Sequence, residues 1–196
     1  MTNFKILLIA SIMVFSIKLS HAQQFNESWD GTPNLERHQL TLNFLTPGFR
    51  YELGLFKNVS ASTSFTPGFG YLEEGYAFGI VWNTRLRYYL NFDSRYQSQK
   101  NIKYNSADYL AVARSVFWEP LMISSNLDGI GEYSLAFWGF SYGSQRTNKN
   151  GFTYNIELGL GYFEGIGVGS GYGSLLNFSF GWVATNRKRN KEIKFD

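Results

Sequence analysis

An all-β fold, an up-and-down antiparallel barrel of about eight strands, is what three features of this sequence predict. Apolar and polar residues alternate almost without a break between Arg37 and Thr185, and a period of two means strands with two chemically different faces. No helical period competes, except for one turn within Ser94 to Lys100. The chain has 196 residues with 18% aromatic and 17% charged side chains, 20 Gly and 4 Pro. That length suits one domain, and the charge content lies below the ~25% of ordinary soluble domains. Disordered, collagen-like and charge-rich coiled-coil chains are excluded.

The strands follow in order. Leu40, Leu42 and Phe44 share one face of the first, against Gln39, Thr41 and Asn43. After Thr46-Pro47-Gly48, Phe49, Tyr51, Leu53 and Leu55 oppose Arg50, Glu52 and Gly54. After Lys57-Asn58, Val59, Ala61, Phe65, Phe69 and Tyr71 alternate with a row of Ser, Thr and Gly. The fourth strand sets Phe78, Ile80, Trp82, Leu86, Tyr88, Leu90 and Phe92 against Ala77, Gly79, Asn83, Arg85, Arg87 and Asn91. The fifth (about Ala107 to Ile123) and sixth (about Glu132 to Gln145) are blurred. Arg114 among Val112, Val116 and Trp118, and the run Phe137-Trp138-Gly139-Phe140, predict bulges or lost register there. In the seventh, Phe152, Tyr154, Ile156, Leu158, Leu160 and Tyr162 oppose Thr153, Asn155, Glu157, Gly159 and Gly161. In the eighth, Leu176, Phe178, Phe180 and Trp182 oppose Asn177, Ser179 and Gly181.

Alternation alone does not say which face is wet. A lipocalin-like soluble barrel has apolar residues inside and charge outside, and a membrane barrel reverses this. Here the polar face is Ser, Asn, Gly and Thr with a few Arg and Glu, without the Lys and Glu density of a water-facing sheet. Aromatic Phe152 and Tyr154, aliphatic Ile156, Leu158 and Leu160, then Tyr162 follow the order of girdle, hydrocarbon and girdle. The expectation is a transmembrane barrel.

The ends agree with that destination. Lys5, the apolar run from Ile6 to Ile17 and Ser20-His21-Ala22 read as a secretory signal peptide over 1–22, cleaved before Gln23. The run and Lys18 argue against a spanning anchor. The expected organisation is then a polar periplasmic leader over 23–36, the barrel over 37–185 and a basic periplasmic tail over 186–196. Loss of Lys5 and Lys18 leaves the mature chain nearly neutral, which gives no argument for nucleic acid. Both termini are expected on the periplasmic side. The opposite connections carry acidic residues: Glu73, Glu74, Glu119, Asp128, Glu132 and Glu164. The periplasmic ones carry Lys57, Arg95, Lys100, Lys103, Arg146 and Lys149.

With the signal peptide, the Asn43-Phe44-Leu45-Thr46-Pro47-Gly48-Phe49 hairpin, Arg85-Leu86-Arg87-Tyr88-Tyr89 and the Gly173, Leu176, Phe178 pattern of the closing strand, the chain resembles the small, eight-stranded outer-membrane β-barrel proteins of Gram-negative bacteria. The basic tail departs from their usual aromatic terminus. The resemblance implies an outer-membrane location, contact with outer-membrane lipid and lipopolysaccharide, the barrel-assembly machinery during biogenesis, and membership of an envelope protein complex. It is informative for architecture and poor for function, because such barrels include adhesins, assembly partners, pores and enzymes.

Little in the sequence points to catalysis. With no Cys there is no disulfide framework, thiolate nucleophile or Cys-ligated zinc. His38 is the one His remaining after residue 22; a Ser–His hydrolase would need it beside a Ser and an orienting group, and no motif surrounds it. The Gly-rich run from Gly165 to Gly173 lacks the following helix that a phosphate loop requires. No catalytic residue, cofactor or metal is therefore expected, and the chain is read as a non-enzyme. The informative set is on the polar face: Arg50, Glu52, Arg85, Arg87 and Glu157 fall at similar depths. They are expected to meet as a lumen network that plugs the interior, since buried charges must be paired. A second set, the outer acidic loops with Glu73, Glu74, Asp128, Glu132 and Glu164, could bridge cations to lipopolysaccharide. The expected role is structural or binding in the cell envelope, with a narrow porin-like passive pore and a lipid-modifying enzyme as alternatives.

Overall fold

The computed structural model describes residues 34–73, 75–117, 123–125, 135–165 and 168–185. The expected signal peptide, most of the leader and the basic tail lie outside the described residues, as do Glu74, Glu119, Asp128 and Glu132. Nine strands make one antiparallel sheet: β1 (His38–Asn43), β2 (Gly48–Phe56), β3 (Val59–Leu72), β4 (Gly75–Tyr89), β5 (Asp108–Phe117), β6 (Ile123–Ser125), β7 (Leu135–Thr147), β8 (Phe152–Gly165) and β9 (Val168–Val183). A short helix, α1 (Phe92–Gln97), and a 3-10 turn over Lys103–Asn105 lie between β4 and β5.

The strand order is β3-β2-β1-β9-β8-β7-β5-β4-β6, with a further β3–β4 pairing that brings the ring together. Its seams are unequal. β3 and β4 pair from Val59 opposite Tyr88 to Leu72 opposite Gly75. β1 and β9 pair only at Thr41–Val183, Leu42–Trp182 and Asn43–Gly181. β6 is an extra strand, laid on β4 at Tyr76, Ala77 and Phe78 beyond the end of β5. The ring therefore does not close evenly into a barrel, which corrects the expected transmembrane up-and-down barrel of eight strands. The implied membership of the Gram-negative outer-membrane barrel proteins falls with it. So do the readings that rested on it: outer-membrane localisation, the envelope role and complex, and lipid, lipopolysaccharide and barrel-assembly partners. No helix among the described residues is long and apolar enough to cross a membrane.

The two faces are chemically opposite. Polar rows such as Gln39, Thr41, Asn43 and Ser60, Ser62, Ser64 are buried within the ring. Apolar rows face outward, with Phe140 and Leu160 each 74% exposed. β5 and β7 pair regularly from Asp108 opposite Ser144 to Val116 opposite Ala136, so no bulge interrupts the described part of the two strands where bulges were expected. The sheet's register shifts fall instead at Gly54/Phe56 and Phe163/Gly165. The blurred pattern of β5 has a simple cause: its interior row includes Ala111 and Ala113, small enough to fit yet apolar. Arg114 sits on the outer row, its guanidinium 4.6 Å from the centre of the Trp138 ring, a cation–π contact that shelters a charge among apolar neighbours. Of the long fifth strand expected to Ile123, β5 covers Asp108–Phe117 and β6 begins at Ile123; 118–122 lie outside the described residues.

One end of the interior is sealed by the β4–β5 connection. Phe92, the first residue of α1, is buried with Leu35, Tyr89, Ala107, Tyr109 and Ala111, and Asp93 and Arg95 stand at the helix ends that favour their charges. Tyr104 and Asn105 both take left-handed backbone, at φ 55° and 56°. Asn accepts that conformation readily and Tyr rarely. The turn carries the Asn105 side chain into the interior, where it is fully buried. At the same end Lys57 pairs with Asp93 at 3.3 Å and Arg146 with Asp108 at 2.6 Å, so carboxylates accompany two of the cations expected there.

Space inside is rationed by glycine. Gly143 lies opposite Tyr109, and a Cβ there would stand 2.2 Å from the Tyr109 ring. Gly143→Val should therefore lower the unfolding free energy by about 1–3 kcal/mol, the usual cost of overfilling a packed interior, as read from the urea midpoint at unchanged slope.

Candidate functional site

The polar residues at mid-height converge because strands of opposite direction bring inward rows to a common level. Arg85 on β4 donates from Nε to Glu157 Oε1 on β8 at 2.6 Å. Its Nη1 donates to the carbonyl oxygens of Arg114 and Thr84, at 2.7 and 3.0 Å. Its Nη2 reaches Ser115 Oγ at 3.2 Å and Asn83 Oδ1 at 3.4 Å. Ser141 Oγ donates to Glu157 Oε1 at 2.6 Å.

A second centre forms one layer nearer the sealed end. Glu52 on β2 accepts from Arg87 Nη1 at 3.0 Å, Tyr89 Oη at 2.6 Å, Ser60 Oγ at 2.8 Å and Asn105 Nδ2 at 2.9 Å. Arg87 also donates to Gln145 Oε1 at 3.2 Å, and its guanidinium lies 4.4 Å from the centre of the Tyr109 ring. Tyr109 in turn donates to Asn155 Oδ1 at 2.8 Å. Arg50 lies within the same enclosure, with its Nε and Nη2 unpartnered. Arg50, Glu52, Arg85, Arg87 and Glu157 thus share one interior, the last four as two ion pairs. Tyr89, Tyr109, Asn105, Gln145 and Ser141 belong to it as well. Nothing in the alternation distinguished them; Asn155, which bonds Tyr109, was readable as a polar-face residue of its strand.

This environment sets the protonation states. Burial pushes the Glu52 carboxyl up, but Arg87 and Arg50, with the Tyr89 and Ser60 hydroxyls, hold it below the ordinary value of 4.5. Burial likewise opposes ionisation of Glu157, and Arg85 with Arg87 and the Ser141 hydroxyl bring it below 4.5. Burial raises Tyr89 well above its ordinary range, with Glu52 adding to the effect. It pushes Tyr109 up to about 12, against the opposing pull of Arg87.

Beyond the ion pairs the interior widens into a cup of about 670 Å³, away from the sealed end. Leu72, Val81, Phe117 and Leu135 form its buried apolar wall, with Phe163 packed against them. Thr66, Asn83, Ser115 and Asn177 bring polar groups to its floor. Gly68 and Gly70 keep the β3 side open; a Cβ on Gly70 would come within 3.2 Å of Leu135 Cδ2. Between the cup and the ion pairs lies a void of about 10 Å³, lined by Arg50, Arg85, Arg87 and Glu157. The porin-like passive pore is corrected along with the membrane barrel, and buried Arg–Glu pairs cross the interior where it was expected.

The remaining expected residues are scattered. Glu73 is exposed and lines the cup, and Glu164 is exposed near the end of β8. His38 Nδ1 meets the Tyr51 hydroxyl at 2.5 Å, and burial followed by Arg37 lowers its pKa. No serine bonds its ring among the described residues, and the lipid-modifying enzyme reading is withdrawn with the membrane barrel that motivated it. Among the described residues no three His, Cys, Asp or Glu side chains come together as a metal site. Comparison with protein-family models, curated proteins and solved structures finds no match.

Two outcomes test the network. Glu157→Gln leaves Arg85 buried without its counter-charge and should cost about 3–5 kcal/mol in chemical unfolding, whereas Arg85→Met combined with Glu157→Leu should cost much less. Both carboxylates have folded-state pKa values below 4.5. Their stabilisation is therefore complete above that value and is lost as pH falls through the lower, folded-state values. Thermal midpoints measured down an acid series should drop more steeply for the native chain than for Glu157→Gln.

Proposed function

We propose that the chain is a non-catalytic binding module whose cup takes a small molecule with an apolar body and one hydrogen-bonding end. The observation that carries this reading is the cup itself. Its volume of about 670 Å³ lies within the ~300–1,000 Å³ range of small-molecule sites, and such sites combine apolar walls with a few convergent polar groups. Leu72, Val81, Phe117, Leu135 and Phe163 supply the first; Asn83, Ser115 and Asn177 supply the second. The ion pairs below act as a rigid floor. Asn83 accepts from Ser115 Oγ at 2.7 Å and from Arg85 at 3.4 Å, which fixes its amide before any ligand arrives and lowers the ordering cost of binding.

The non-catalytic part of the reading rests on protonation. A general acid or base works best with its pKa near the operating pH, whereas neighbouring arginines and hydroxyls hold the Glu52 and Glu157 carboxyls below the ordinary carboxylate value. Calorimetric titration with decanol should give saturable one-site binding. Gly70→Leu, which fills the cup against yielding side-chain ends, should weaken it at least about tenfold, roughly 1.4 kcal/mol. Leu160→Ala, on the outer face, should leave it unchanged. Equal binding by the native chain and Gly70→Leu would place the probe elsewhere and end this reading.

A further inference from the structure

Among the described residues the interior charges do not balance. Arg50, Arg85 and Arg87 are enclosed with two carboxylates, Glu52 and Glu157, and all five side chains are buried. Arg85 takes Glu157 and Arg87 takes Glu52. The surplus positive charge falls on Arg50, whose Nε and Nη2 have no hydrogen-bond partner. No carboxylate among the described residues lies within ion-pair distance of it. A charge withdrawn from water needs a counter-charge as well as hydrogen bonds.

The surroundings of Arg50 are also the least satisfied part of the interior. Thr41, its cross-strand partner on β1, has an unpartnered hydroxyl, and Asn43 an unpartnered side-chain oxygen. On the β4–β8 side, by contrast, Arg85 and Ser141 are hydrogen-bonded. In front of Arg50 is the void of about 10 Å³, lined also by Asn43, Ser62, Ser64, Asn177 and Ser179. That is room for one occupant about the size of a water molecule; a chloride ion, of roughly twice the volume, would need the Ser and Asn side chains of the lining to give way. Water would satisfy the N–H groups but leave Arg50 with only the field of Glu52, a carboxylate already paired with Arg87.

We propose that this void is a binding site for one monovalent anion, a halide ion or the carboxylate end of a cup occupant, held by the Arg50 guanidinium. The lining hydroxyls of Ser62 and Ser64 and the Asn177 amide offer further donors. Glu157 Oε2, unpartnered and also on the lining, repels negative charge, which seats the anion toward Arg50 and limits the site to one. Burial and then the neighbouring Arg87 depress the Arg50 pKa, and a bound anion relieves both penalties. The site stands whether or not the cup binds decanol, because it rests on the charge count, the unpartnered Arg50 nitrogens and the void beside them.

Chloride NMR line widths test the site on the whole chain. The expected result is a saturable excess broadening that Arg50→Gln abolishes and Arg114→Gln, on the outer face, preserves. Asn43→Asp supplies an internal carboxylate at the same void and should also abolish the broadening while the fold persists, so the test survives an unstable Arg50→Gln. Octanoate added to the chloride-loaded protein separates the two sources: displacement assigns the site to a carboxylate head group, and retention assigns it to the free halide. Broadening that rises linearly with chloride, or is the same in the native chain, Arg50→Gln and Asn43→Asp, would mean a water-filled void and overturn the proposal.

Discussion

Charge enclosed by strands that are remote in sequence is the constraint on which the molecule depends. Glu157 and Arg85 are 72 positions apart, and Arg87 and Glu52 are 35 apart. Neither pair forms until β2, β4 and β8 occupy their places around the ring. A buried ion has few alternatives to its partner, so a one-residue slip of any of these strands would turn its charge outward and strand the other. The pairs thus select one register, whatever their net contribution to stability. The supporting donors, Tyr89, Ser60 and Asn105 on Glu52 and Ser141 on Glu157, complete the solvation that water no longer provides.

From this follows the division of the interior into three levels. The β4–β5 connection closes one end with Phe92 and Asn105, the ion pairs fill the middle, and the cup occupies the other end. Small residues decide where matter stops and space begins. Gly143 makes room for the Tyr109 ring, while Gly68 and Gly70 leave the cup open. Open space and rigid packing therefore occupy different heights of the same strands, and the floor of one is the roof of the other.

The alternation of β1 to β4, β8 and β9 was legible because their two rows differ sharply, as with Ile156 and Leu158 against Asn155 and Glu157. The inward placement of Arg50, Glu52, Arg85, Arg87 and Glu157 could be read from the same period of two. Where the rows converge chemically the signal fades: Ala111 and Ala113 are interior residues that look apolar, and Arg114 is an outer residue that looks polar until Trp138 is placed beneath it. The closure of the ring was not legible, because a period of two describes each strand and not the length of the seam between first and last. Nor was Asn105, whose position depends on two successive left-handed residues in a connection without periodicity. The pairing pattern was beyond sequence as well, since it requires knowing which strands face one another across the interior.

The short junction of β1 with β9 has a consequence for how the chain acquires its shape. Hairpins such as β3–β4 and β8–β9 join neighbours in sequence and can zip early, whereas uniting β1 with β9 restrains almost the entire described chain in one loop. Loop-closure entropy grows with that span, and the return is three ladder pairs at Thr41, Leu42 and Asn43 with flanking bonds from Phe44 N to Phe180 O and from Ala184 N to Leu40 O. This junction accordingly combines the longest closure with one of the shortest ladders in the ring, which makes it the seam least repaid for the order it imposes.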